Sequence, residues 1–169
     1  MEACDVCGFV WDDVGDAEVA PRIRAGADML ARLLRNAPDV ANTRPTAGRW
    51  SMLEYGAHVR DVMLVMRDRF VVGIVTENPG FTPMYRDERV DLGMYRGEDP
   101  EALATELEVA AALLVRMIEA VPPEQLGRTC QYGYPGPSTR TLRWMAAQAV
   151  HEIEHHCHDV EENLTLVAD

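Results

Sequence analysis

The chain has 169 residues, with 28 Asp and Glu against 16 Lys and Arg, for a net charge of -12. Every basic residue is arginine, which excludes Schiff-base chemistry on lysine and a lysine-bearing P-loop. The acidic balance argues against nucleic-acid and anionic-membrane partners, and 47% hydrophobic residues suit one compact domain.

Residues 1–15 read as an N-terminal extension and 16–169 as the folded domain. The start, Met1-Glu2-Ala3-Cys4-Asp5, has neither the basic nor the apolar region of a signal peptide. The longest apolar run, 62–75, is broken by Arg67, Asp68 and Arg69, so no membrane span is expected. Four scattered cysteines make no disulfide framework, and a reduced, cytoplasmic setting is expected. Cys4-x2-Cys7-Gly8 is half of a zinc site without a second C-x2-C to complete it. Only the fold can bring Cys130 or Cys157 to it; a redox pair or a frayed terminus are the other readings.

Four helices follow. The first spans about 16–36, with Ile23, Leu30, Leu33 and Leu34 as its apolar face and Pro38 as its stop. The second begins at Ser51-Met52-Leu53-Glu54, a capping box flanked by Trp50 and Tyr55 as a hydrophobic staple. Its stripe is Met52, Tyr55, Val59, Val62, Met66 and Phe70, and His58 falls within roughly 40° of the stripe's centre, pointing inward. Residues 76–98 carry Pro79, Gly80, Pro83, Gly93 and Gly97 and read as a long loop, functional or ordered by short turns. The third helix opens at Asp99-Pro100 and ends at Pro122-Pro123. Residues 131–138 have turn chemistry, and their flanks can pair as a short hairpin. The fourth helix spans about 139–163, with Ala146, Val150, Ile153, Cys157, Val160 and Leu164 as its stripe. The class is all-α, a four-helix bundle.

The fourth helix holds His151, His155, His156 and His158, four of the five histidines in the chain. His151 and His155 are i, i+4 and emerge on one face, a spacing that lets two imidazoles share one divalent cation. His58 is the remaining histidine, which makes His58, His151 and His155 the inferred metal triad. Two other i, i+4 pairs, Glu152/His156 and Glu154/His158, are equally able to chelate. His151 and His155 also lie about 140 to 180° from the apolar stripe of their own helix, which calls for a second buried face there. Asp61, Glu154 and Asp159 are candidates to orient the imidazoles through their second nitrogen. The alternative is a solvated histidine cluster near a helix C-terminus.

Trp50-Ser51 followed by Ala57-His58-Val59-Arg60-Asp61 resembles the W-S/T…H-h-x-D signature of the DinB/YfiT-like superfamily. His151-x3-His155-x2-His158-Asp159 resembles its closing helix motif, and the resemblance covers about 16–165. It implies an up-down-down-up bundle with a long connection between helices 2 and 3. It implies a divalent metal, zinc or nickel, on His58, His151 and His155. Some relatives place glutamate at the first position of the H-x3-H pair; with His151 there, the all-histidine form is implied. Characterised relatives are mycothiol or bacillithiol S-transferases and a mycothiol-dependent maleylpyruvate isomerase. That isomerase carries a further C-terminal domain, so its activity is not expected of a chain ending at Asp169.

The leading expectation is a metal-dependent thiol S-transferase. Its partners would be a low-molecular-weight thiol and an electrophile, with Arg60, Arg86, Arg89 or Arg140 binding polar groups. His158 or Glu154 is the candidate general base. A hydrolase using metal-bound hydroxide and a non-catalytic metal-binding or stress protein are the alternatives. A second apolar helix face suggests a homodimer.

Overall fold

In the computed structural model, which describes residues 2–133 and 136–168, four long helices carry the fold. They are α1 (Asp16–Asn36), α2 (Met52–Val75), α4 (Pro100–Glu119) and α5 (Leu142–Ala168); a short α3 (Arg86–Asp91) lies in the connection after α2. Helices α1 and α2 each pack against both α4 and α5 and sit diagonally across the bundle. Ile23, Leu30 and Leu34 of α1, Met63, Met66 and Phe70 of α2, Leu107 and Leu114 of α4, and Ile153 of α5 fill the fully buried centre. Among the described residues no helix is long and apolar enough to cross a membrane.

Local chemistry sets the helix starts. The Ser51 hydroxyl accepts from Glu54 N at 3.2 Å, and the Glu54 carboxylate accepts from Ser51 N at 2.8 Å. Trp50 packs against Tyr55 with ring centroids 5.4 Å apart. The Asp99 side chain accepts from Ala102 N at 2.8 Å, with Pro100 at the first helical position.

The expected long loop is more ordered than its Pro and Gly content suggests. Besides α3 it holds β1 (Gly80–Phe81), which pairs in parallel with β2 (Thr129–Tyr132). Strand β2 pairs antiparallel with β3 (Ser138–Thr141), the expected hairpin; residues 134 and 135 of its turn lie outside the described residues. A two-residue strand is too short to register as a period, so only the pairing reveals it. The three-stranded sheet is the correction to the all-α expectation. It ties 76–98 to the N-terminal end of α5 and closes one side of the site.

Helix α5 is covered on three sides, by α1, by α2 and by a 3-10 turn at Trp11–Asp13 in the N-terminal segment. That segment forms a tight hairpin: Ala3 bridges Val10, Gly8 N donates to Cys4 O at 2.8 Å, and Gly8 has the positive φ of 73° that a turn there requires. Trp11 stacks on Trp144, centroids 6.0 Å apart.

Candidate metal centre

His58 of α2 meets Glu152 and His156 of α5. One ligand atom from each lies within 4.8 Å of the other two. His58 Nε2 is 3.3 Å from Glu152 Oε2, and His156 Nε2 is 3.6 Å from the same oxygen. The two imidazoles stand nearly perpendicular, centroids 5.0 Å apart. His58 is 3% exposed, as its place on α2 predicts, and its Nδ1 has no hydrogen-bond partner among the described residues.

The expected triad is not the one the fold assembles. His151 and His155 turn away from His58 and lie beside Cys4 and Cys7. Adjacent residues on a helix point about 100° apart, so the pair one residue along, Glu152/His156, is the one presented to α2. The side chains grouped with His58 are a glutamate and one histidine, not the expected histidine pair. The general-base candidates are also elsewhere. Glu154 is held by Arg22, with bonds of 2.8 and 2.7 Å, and His158 is exposed.

A shell of partners fixes the three side chains. His156 Nδ1 donates to Asp159 Oδ2 at 2.8 Å, which leaves Nε2 facing Glu152. Arg49 reaches the Asp159 carboxylate at 3.4 Å. Glu152 Oε1 accepts from Gln148 Nε2 at 2.6 Å, and Gln148 Oε1 accepts from Trp11 Nε1 at 2.7 Å. Trp50 packs edge-on against His58, centroids 5.6 Å apart, and Tyr55 lies 5.3 Å from His156. The Trp-Ser pair that starts α2 thus walls the site as well as capping the helix. Of the three carboxylates proposed as orienters, only Asp159 contacts a histidine of this group. Asp61 is taken by Arg60, Arg89 and Tyr95, and Glu154 by Arg22.

The electrostatics follow from this packing. Burial alone would raise the Glu152 carboxyl, but His156 and His58 outweigh it and hold it well below its ordinary 4.5. Burial pushes His58 below 6.5 against the pull of Glu152. Burial also acts downward on His156, yet Asp159 and Glu152 carry it above 6.5. The donor set is thus an ionised carboxylate with two imidazoles, one of them kept neutral by burial. Such N/O donors suit zinc and its first-row neighbours, and a carboxylate behind a ligating histidine is the usual orienting partner. The unpartnered His58 Nδ1 is a buried polar atom that the protein itself leaves unsatisfied. The residues fit a divalent ion.

His58 and Glu152 open onto a cavity of about 280 Å³ roofed by Pro83, Met84 and Tyr85 and bordered by Arg69, Arg86 and Tyr132. Arg69 is fixed by the Thr82 carbonyl and by the rings of Phe81 and Tyr132, 5.4 and 5.1 Å away. Tyr85 adopts φ 53° and ψ 49°, a conformation a bulky residue seldom accepts. Gly133 has no room for a side chain: a Cβ there would stand 2.6 Å from Phe81 O. Arg69 escaped sequence reasoning because nothing local marks it. Of the four arginines proposed for polar groups, Arg86 lines the cavity. Arg60 and Arg89 are engaged with carboxylates, and Arg140 with Glu2 and the Trp144 ring.

The DinB superfamily profile matches residues 22–160. The chain belongs to the DinB superfamily. This DinB chain resembles YfiT from Bacillus subtilis, a probable metal-dependent hydrolase with an unusual four-helix bundle topology. The TM-score is 0.83 at 15% identity, covering 99% of this chain and 94% of that one. It also resembles the mycothiol-dependent maleylpyruvate isomerase, at TM-score 0.69 and 18% identity, and a point mutant of it at 0.71 and 17%. In both cases 90% of this chain is covered but 63% of the isomerase chain. No curated protein sequence matches the chain. At these identities the likeness is one of fold.

Proposed function

We propose that this DinB protein is a metal-dependent thiol S-transferase. His58, Glu152 and His156 would hold a divalent ion, zinc or nickel. The substrates would be a low-molecular-weight thiol of the mycothiol or bacillithiol type and a small electrophile. The observation that carries this reading is the convergence of three donors from two helices, two of which, His58 and Glu152, line a cavity. Bound there, a divalent ion supplies Lewis acidity that lowers the pKa of a thiol or water reaching it.

The protein's own groups account for the rest. Among the described residues the cavity wall includes no cysteine, serine or lysine, which suits a nucleophile brought by a thiol cofactor. Cys130 and Cys157 are buried, and burial pushes the Cys157 thiol up to about 12. Asp159 keeps His156 turned to the centre, and Gln148 and Trp11 keep Glu152 there. Arg69 and Arg86 offer hydrogen-bond donors to the polar groups of a thiol cofactor, while Pro83, Met84 and Tyr85 give the electrophile an apolar surface. Leu64, Val71, Val72 and Val75 are exposed on α2 and support a homodimer through that face.

A hydrolytic reading is favoured by one observation, the near-complete mutual coverage with YfiT. Both readings use the same donors, and one experiment separates them. Metal-loaded protein is incubated with mycothiol or bacillithiol and a model electrophile, in water enriched in heavy oxygen. Thiol conjugation that is lost in His58→Ala and Glu152→Ala supports the transferase. Heavy oxygen in the product supports the hydrolase. Neither product leaves a non-catalytic metal-binding protein.

A further inference from the structure

The C-x2-C knuckle finds its other half in the pair of histidines that turned away from His58. Cys4, Cys7, His151 and His155 each offer one ligand atom, and all four atoms lie within 4.8 Å of one another. Cys4 Sγ is 4.0 Å from His155 Nδ1. In a tetrahedral zinc site with bonds of about 2.0–2.3 Å, donor atoms stand about 3.3–3.8 Å apart, so contraction by at most about 1.5 Å closes the group around an ion. His151 independently points to a missing partner: both of its ring nitrogens are buried and have no hydrogen-bond partner among the described residues. It is clamped between Phe9 and Trp11, centroids 5.1 and 4.8 Å away, which fixes the ring toward the cysteines' side.

The backbone around the cysteines has the shape of a metal knuckle. Gly8 takes the left-handed turn directly after Cys7, and Cys4 N donates to Phe9 O at 2.8 Å. No cysteine is in a disulfide.

We propose that Cys4, Cys7, His151 and His155 form a second metal site, a closed Cys2His2 zinc centre distinct from the His58 group. With four protein ligands it has no open position, so its role is structural. It clasps the N-terminal hairpin onto α5. The hairpin leads into Trp11, whose indole holds Gln148 and through it Glu152. The clasp therefore tethers the segment that positions one donor of the first centre. It stands on its own geometry and does not depend on the transferase reading.

The test counts metal and reads its ligands in the full chain. Purified wild type is expected to bind one more zinc equivalent than the Cys4→Ser, Cys7→Ser double variant. Cobalt substituted into wild type is expected to give thiolate-to-cobalt charge-transfer bands and the intense visible bands of a tetrahedral ion; the His58 group has no sulfur and cannot produce the former. His58→Ala is expected to keep those bands, which separates failure of this site from failure of the first. Equal zinc content in wild type and double variant overturns the proposal, as does cobalt-loaded wild type without a thiolate band. The spectrum needs no variant, so a double variant that fails to fold leaves the test standing.

Discussion

Asp159 shows how one carboxylate sets the chemistry of its neighbour. By binding Nδ1 it fixes the His156 tautomer, and Arg49 in turn fixes Asp159. Asp159→Asn is expected to keep the fold and weaken divalent metal binding at the His58 centre by about ten- to a hundredfold, measured by competition with a chromophoric chelator. Tyr95 gives a second single-residue outcome. Its hydroxyl donates to Asp61 at 2.8 Å, and burial first, then Asp61, raises its pKa to about 12 from 10. An unfolded chain loses that proton near pH 10 and the folded one near 12. The stability this group contributes is therefore complete below pH 10 and is lost as pH rises toward 12, by at most about 3 kcal/mol. Tyr95→Phe removes the titration, so its stability gap from wild type should narrow between pH 10 and 12 in urea unfolding. A gap that stays constant refutes the assignment.

At the scale of elements, α5 is the element on which the others converge, and its close approach to α1 depends on Gly26. A Cβ there would lie 2.9 Å from Ile153 Cγ2 and 3.5 Å from Ile153 Cβ. The β-branched side chain has little freedom to move aside. Gly26→Ala gains about 1 kcal/mol of helix propensity, and overpacking costs about 1–3 kcal/mol. A net loss in melting temperature is expected, and an increase would show that the interface has slack. The starts of the capped helices were legible in the sequence, whereas the last helix, expected from about 139, begins at Leu142 because Ser138–Thr141 form β3. Ser51, Glu54 and Asp99 cap where the pattern says, because capping is a contact among residues three apart. The sheet was half legible: the hairpin is local, whereas β1 pairs with a strand about fifty residues away, and nothing in the periodicity carries that partner.

In the whole molecule, the N-terminal segment reaches Glu152 of the bundle through one indole, that of Trp11. Trp11→Phe removes the donor to Gln148, which is 5% exposed, and leaves a buried amide oxygen unpaired. About 1–2 kcal/mol of stability should be lost in denaturant titration. Metal affinity at the His58 centre should fall with it, because Gln148 is the contact that holds Glu152. Unchanged affinity would mean that Glu152 needs no such support. The bundle brings His58, Glu152 and His156 together, and Trp11 of the N-terminal segment reaches Glu152 through Gln148.

The sequence by itself determined the helices, their caps, the inward face of His58 and the concentration of histidines on the last helix. All of these rest on spacings of three or four residues, which the helical geometry converts directly into shared faces. It also held three candidate i, i+4 pairs and an unexplained C-x2-C. Only the tertiary structure decided among them. A single apolar stripe reports one buried face, but α5 is buried against α1, against α2 and under the N-terminal hairpin. Which pair faces His58 depends on the phase at which α5 meets α2, about 100° of rotation per residue, and no local pattern encodes that angle. The same rotation that gives Glu152 and His156 to the bundle turns His151 and His155 toward Cys4 and Cys7, a meeting across nearly the whole chain that spacing could not foretell.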